Sequence, residues 1–204
     1  MSMKIVILCG GSGLRLWPES RLDLPKQFIP MFSGKSLLEL TIERTLALKS
    51  KIKPIIICNV KHTFLVKHSL SKLNLKADII VEPEGKNTTA AIYLAARISS
   101  ASDKLLIMPS DHLIPDNKQF NDDINSINKL TDFEHWVTLG IKPYKPSESF
   151  GYIKVSDNND KLLKVVNFIE KPSKKIAAKL IQDKYYFWNS GIFMGKASMI
   201  LNSI

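Results

Sequence analysis

Ile5-Val6-Ile7-Leu8-Cys9-Gly10-Gly11-Ser12-Gly13-Leu14-Arg15-Leu16-Trp17-Pro18, followed closely by Pro25-Lys26-Gln27-Phe28, decides how the rest of the chain is read. Ile5 to Cys9 is short, unbroken and rich in β-branched residues, as suits a strand buried on both faces of a parallel sheet. It runs straight into Gly10, Gly11 and Gly13, where the backbone can turn sharply and present N–H groups with no Cβ in the way. Successive N–H groups make a concave anion site. Arg15 and Lys26 add full positive charges nearby. Leu8, Gly10, Gly11, Ser12, Gly13, Arg15 and Lys26 thus describe a cradle for a polyphosphate. The plainer alternative is an ordinary strand-to-loop turn with a stray arginine.

Two familiar glycine motifs fail on spacing. The dinucleotide fingerprint needs its third glycine where this chain has Leu16, and a Walker A loop ending at Gly34-Lys35-Ser36 would need a glycine at Ile29. A dinucleotide-dependent oxidoreductase is therefore a remote reading.

Working outward, the 204 residues, 45% of them hydrophobic, suffice for one substantial packed domain. The apolar run near the N-terminus is too short for a signal peptide or a membrane span, so the expected location is cytoplasmic, with no membrane partner. Cys9 and Cys58 each end an apolar run without a CxxC partner, and both read as buried reduced thiols. The net charge of +10 invites a nucleic-acid partner, but arginine occurs only at positions 15, 21, 44 and 97, and the remaining cations are scattered lysines. No nucleic-acid partner is expected. A basic field would still draw in small anionic substrates.

Strand-like and helix-like segments alternate along the first two thirds. Ser36-Leu37-Leu38-Glu39 has the form of a capping box, opening a helix to about Leu48. Ile55 to Cys58, Ala77 to Val81 and Leu105 to Met108 read as further buried strands, separated by helices over 63–73 and 88–99. A helix over 120–130 and a strand over 136–141 follow. This pattern predicts an α/β fold with a Rossmann-like, doubly wound, mainly parallel sheet. Ligands in such sheets bind at the carboxyl ends of the strands, near a switch in strand order. After the proline-bounded stretch Lys142 to Pro146 the character changes: strands over 153–155 and 162–169, a helix capped by Ser173, and a strand over 187–193. The expected division is a core over 1–141 and, over 142–204, the start of a small α+β subdomain attached to the sheet.

Asp111 follows the fourth strand, where a rigidly held carboxylate points into the crevice. Hard oxygen suits magnesium, which takes one or two carboxylates and completes its shell with phosphates and water; a helix cap or loop carboxylate is the competing reading. His112 beside it reads as structural. Glu170-Lys171-Pro172 and Trp188-Asn189-Ser190-Gly191 are weak separately, and Glu170–Lys171 alone reads as a surface charge pair.

Taken together, Gly-Gly-Ser-Gly-x-Arg-Leu-Trp-Pro, Pro-Lys-Gln-Phe, Glu82-Pro83, Pro109-Ser110-Asp111-His112, Glu170-Lys171-Pro172 and Trp188-Asn189-Ser190-Gly191 resemble, in order, the sugar-nucleotide pyrophosphorylases, most closely the bacterial mannose-1-phosphate guanylyltransferases. The resemblance implies GTP and mannose 1-phosphate as substrates, magnesium as cofactor, and GDP-mannose and pyrophosphate as products. It implies catalytic roles for Arg15, Lys26 and Asp111, with Asp111 on the metal. It places the base near Glu82, Pro83 and Asn87, although a helix cap is the stronger reading of Asn87. It assigns the sugar phosphate to Gly151, Glu170, Lys171 and Asn189. Leu14, Lys86 and Thr89-Ala90 depart from the family pattern; Leu14 costs a side-chain hydroxyl and leaves the backbone donors intact. In the family the nucleotidyltransferase domain continues beyond the position of Ile204 and supplies a second aspartate, so the chain is expected to be an incomplete domain. A pyrophosphorylase for another base or sugar, or a remnant that binds nucleotide without efficient turnover, are the alternatives. An assembly of like chains is compatible with the sequence.

Overall fold

The computed structural model describes residues 3–11, 16–48, 53–84, 88–158 and 160–204. Ser12, Gly13, Leu14, Arg15, Lys86 and Asn87, all singled out above, lie outside the described residues. The chain divides into two compact units, one drawn from the first 136 residues plus Met194–Ile204, the other Val137–Phe193.

In the first unit, β1 (Met3–Cys9) pairs in parallel with β2 (Ile55–Asn59) and with β4 (Lys104–Pro109), and β2 pairs in parallel with β3 (Asp78–Glu82). The spatial order is therefore β3-β2-β1-β4. Ile5, Val6, Ile7, Ile55, Ile56, Leu105, Leu106 and Ile107 are all buried, as strands covered on both faces require. The chain steps outward from β1 through α1 (Leu37–Leu46) to β2 and through α2 (Thr63–Lys72) to β3. It then returns through α3 (Thr88–Arg97) to the far side of β1. Right-handed crossovers taken in opposite directions put their helices on opposite faces of the sheet. Accordingly α1 packs with α2 and with α4 (Asn117–Leu130), while α3 packs with α6 (Ala197–Ser203). The order of strands reverses between β1 and β4, and a crevice opens there.

Local chemistry fixes the helix ends. The Ser36 hydroxyl accepts from the Glu39 N–H at 3.2 Å, and the Glu39 carboxylate accepts from the Ser36 N–H at 2.8 Å, which completes the expected capping box. Lys72 of α2 holds the other Glu39 oxygen at 2.9 Å, so one nearly buried carboxylate ties two helices. Helix α4 begins earlier than its apolar spacing suggested, because Asp116 caps it by accepting from the Gln119 N–H at 2.8 Å. Lys104, only 7% exposed, enters β4 and donates to the Asn128 and Thr131 carbonyls and the Asn128 side chain. A buried ammonium at the end of α4 meets the negative end of the helix dipole.

In the second unit β6 (Tyr152–Val155) lies between β7 (Val165–Ile169) and β8 (Tyr186–Lys196) and runs antiparallel to both. β5 (Val137–Ile141) also pairs with β8. Tyr152, Trp188 and, from α5 (Lys174–Leu180), Ala177 form the core here. Ser173 stands at the N-cap of α5 as expected but makes no side-chain bond; the Lys174 N–H instead donates to the Glu148 carboxylate at 2.9 Å.

Burial would raise the Glu39 carboxyl, but the Ser36 backbone and Lys72 outweigh it and hold the group below its ordinary value of 4.5. A lowered carboxyl contributes stability that is complete above that value and is lost as the pH falls through the folded pKa. Glu39→Gln keeps the capping geometry but loses the charge, about 1 kcal/mol at neutral pH. Melting temperatures across a pH series should show the variant's deficit largest at neutral pH and vanishing in acid.

Candidate functional site

Register fixes which residues meet at the crevice. Cys9 aligns with Cys58 and Cys58 with Val81, while Leu8 aligns with Pro109. One step further along, Asn59 aligns with Glu82, while Gly10 and Asp111 follow just past the carboxyl ends of β1 and β4 at the same edge of the sheet. Gly10 and Gly11 are exposed, and among the described residues nothing lies within 4 Å of where a Cβ would sit on either. Gly11 has φ of +96°, a conformation side chains rarely adopt, so its requirement is conformational and not spatial.

A 3-10 turn over Lys26–Phe28 joins the two sides of the crevice. From it, the Lys26 ammonium reaches the Asp111 Oδ2 atom at 2.7 Å, with both side chains partly exposed. The neighbouring Gln27, buried, donates from Nε2 to the Gly11 carbonyl at 3.3 Å. His112 Nε2 lies 3.9 Å from Asp111 Oδ1. Burial holds His112 below its ordinary value, Asp111 opposes this, and Lys26 and Arg44 reinforce it. The imidazole is accordingly neutral at pH 7. Behind the loop, burial pushes the Cys9 thiol up to about 12 and also raises Cys58; both are buried free thiols, as the sequence suggested.

Asp111 fits a hard cation. Its Oδ2 is taken by the Lys26 ammonium and its Oδ1 lies beyond hydrogen-bond length from His112, so Oδ1 is the oxygen a metal would meet. Among the described residues no three metal-ligating side chains cluster. An ion on Asp111 would therefore complete its shell with phosphate oxygens and water, the habit of magnesium.

Leu8, Gly10, Gly11, Lys26 and Asp111 thus gather at one crevice mouth. Glu82 and Pro83 stand at the same edge of the sheet but two strands from β1, roughly 10 Å away at ordinary strand spacing. Burial raises the Glu82 carboxyl.

In the second unit, Gly151, Glu170 and Asn189 come together although 38 residues separate the first from the last. The Asn189 N–H donates to the Gly151 carbonyl at 2.8 Å. A Cβ on Gly151 would lie 3.0 Å from Glu170 Oε2 and 2.9 Å from the Phe168 ring, so the carboxylate rests over bare backbone. Asn189 Oδ1 accepts from the Gly191 N–H at 3.2 Å and lies 3.0 Å from the Thr138 hydroxyl, whose single proton is shared with the Ile192 carbonyl at 2.9 Å. Lys171 pairs with Glu170 at 2.9 Å, both well exposed. Thr138 and Gln27 are the orienting residues that sequence reading passes over. Gln27 sits inside a quoted motif, whereas an isolated threonine in a strand carries no signal.

The profile of the family described as nucleotidyl transferase matches residues 4–203. A mannose-1-phosphate guanylyltransferase of Escherichia coli is 40% identical over 207 residues, covering 98% of this chain and 44% of that protein. The alginate biosynthesis protein AlgA of Pseudomonas putida is 38% identical over 206 residues, covering 98% and 42%. The chain thus spans less than half the length of these curated relatives. A crystal structure described as mannose-1-phosphate geranyltransferase from Thermus thermophilus superposes with a TM-score of 0.85 at 28% identity, over 98% of this chain and 59% of that one. One described as mannose-6-phosphate isomerase from Helicobacter pylori gives 0.83 at 33% identity, over 99% and 73%. Among the described residues no helix is long and apolar enough to cross a membrane.

The two adjacent glycines should respond differently to a methyl group. Gly11→Ala places a side chain in the left-handed region and should cost about 1–2 kcal/mol. Gly10→Ala meets neither that strain nor a clash and should be near neutral. Urea midpoints of the two variants read the difference.

Proposed function

We propose that this chain, which belongs to the nucleotidyl transferase family, joins the GMP moiety of GTP to mannose 1-phosphate and releases pyrophosphate. The observation that carries the proposal is the crevice at the β1–β4 reversal, where the glycine loop, Lys26 and Asp111 converge. The relatives named mannose-1-phosphate guanylyltransferase supply the choice of substrates.

A phosphate oxygen of the sugar attacks the α-phosphorus of GTP in line, and the bond to the bridging oxygen of the β-phosphate breaks. No protein nucleophile is needed, so catalysis consists of positioning and charge neutralisation, for which proximity supplies ~7–11 kcal/mol. Gly10, Gly11, Ser12 and Gly13 present backbone donors to the β- and γ-phosphates, and Arg15 adds charge there. Lys26 faces the α-phosphate as charge accumulates on it. Magnesium, when held by Asp111, neutralises phosphate charge. Gly151 lets the sugar approach the backbone, Glu170 and the Asn189 amide take its hydroxyls, and Lys171 takes its phosphate. Vicinal hydroxyls suit a carboxylate acceptor, and a monophosphate suits an ammonium. The buried thiols Cys9 and Cys58 are in keeping with a cytoplasmic setting.

Glu82 selects guanine in this reading, with Pro83 stiffening its loop and Asn87 close in sequence. Guanine presents N1–H and an exocyclic amine side by side, and an ionised carboxylate accepts both. Burial disfavours the Glu82 charge, and two donors from the base would offset that cost. Adenine has no N1–H to give.

The test is pyrophosphate release from GTP that depends on mannose 1-phosphate, with ATP and glucose 1-phosphate as comparisons. GTP binding without release would leave a binding module; faster release from another pair would reassign the base or sugar. Lys26→Ala should slow turnover by ~2.7–4 kcal/mol in the barrier, with a much smaller effect on GTP affinity. Glu82→Gln should weaken GTP by roughly 1–3 kcal/mol and leave ATP unchanged. Titration calorimetry in which the two nucleotides shift together would remove Glu82 from base selection.

A further inference from the structure

Gln27 is 1% exposed, the least exposed residue of the turn that carries Lys26. A buried amide is costly unless its hydrogen bonds are made. Here they go to the glycine loop: Nε2 donates to the Gly11 carbonyl at 3.3 Å, and the side chain also meets the Cys9 thiol. The contact spans sixteen residues and ends on the one described glycine of this loop with a left-handed φ. At such a residue the peptide plane is held by few steric constraints, so what bonds its carbonyl decides where it points. A carbonyl turned into the crevice would set a partial negative charge against the phosphates.

We propose that Gln27 is a positioning residue for the phosphates: its amide holds the Gly11 carbonyl away from the β- and γ-phosphates. It does so from the same turn that sets Lys26 against Asp111. The inference rests on the polyphosphate reading above. The facing group must be a donor, because a carbonyl only accepts, and a neutral donor leaves the anion field to Lys26. Glutamate at this position would set acceptor against acceptor. The role is confined to the part of the nucleotide that GTP and pyrophosphate share and GMP lacks.

Titration calorimetry of GTP, pyrophosphate and GMP, all with magnesium present, separates this role from general support of the fold. Gln27→Met keeps the volume and loses the donor; it should weaken GTP and pyrophosphate by about five- to ten-fold and leave GMP unchanged. Gln27→Glu should weaken both further, again sparing GMP. Should the methionine variant melt early, Gln27→Asn keeps the amide one methylene short of Gly11 and should give the same split. An equal loss for GMP, or undiminished pyrophosphate binding, overturns the assignment. A wild-type chain that binds neither GTP nor pyrophosphate overturns the function proposed above, and this role with it.

Discussion

Parallel strands joined by right-handed crossovers can leave a central strand in two directions only by sending helices to opposite faces. At β1 the chain does this. It proceeds outward to β2 and β3, then returns to pair β4 on the other side. At the carboxyl ends of β1 and β4 the strand order reverses, and the connections leave toward opposite faces. Everything chemical in the first unit depends on that constraint. The glycine loop has a place to open, Asp111 follows β4 at the same edge of the sheet as Gly10, and the Lys26–Phe28 turn can touch both sides at once. A Cys9 thiol so close to the opening remains inert because burial raises it to about 12. The reactive surface is thus confined to oxygen, nitrogen and backbone donors.

The fold was legible wherever a periodic apolar pattern met a terminator with a mechanism. Ile55 to Cys58 and Leu105 to Met108 are buried on both faces and read as continuous runs for that reason. Ser36 and Glu39 announced α1 because the capping box is a local interaction, complete within four residues. Illegible elements lacked one of these signals. The first turn of α4, Asn117-Lys118-Gln119, is polar throughout, so apolar spacing located only the helix from Phe120 onward. Helix α6 follows β8 without a break, and its start is set by backbone bonds from Ala197 to Asp103 and from Ser198 to Ala101. Such distant main-chain partners leave no trace in a residue pattern.

The site divides along the same line. Asp111 and the glycines could be placed because a strand end fixes a position in space once the sheet order is known. Their orienting partners could not. Thr138 and Asn189 lie 51 residues apart in sequence, and the contact that defines Gln27 ends on a carbonyl, which every residue has. Sequence motifs report side chains of distinctive chemistry; the groups that aim them are found from the fold.

The weakest motif illustrates how structure changes the weight of a reading. Glu170 and Lys171 form an exposed ion pair, and such pairs contribute between nothing and about 1 kcal/mol to stability. On that ground alone the surface-pair reading would stand. Gly151 argues otherwise. Its backbone carries no left-handed φ, so no turn demands glycine there. What a side chain would meet is the Phe168 ring and the Glu170 carboxylate, both within about 3 Å. The Asn189 N–H fixes the carbonyl of the same glycine, and the Gly191 N–H fixes the Asn189 oxygen, with the Thr138 hydroxyl beside it. An ordinary surface ion pair has no use for a bare α-carbon beneath one of its members or for an amide oriented beside it. A ligand that must approach the backbone and find a carboxylate, an amide and an ammonium together makes use of all four.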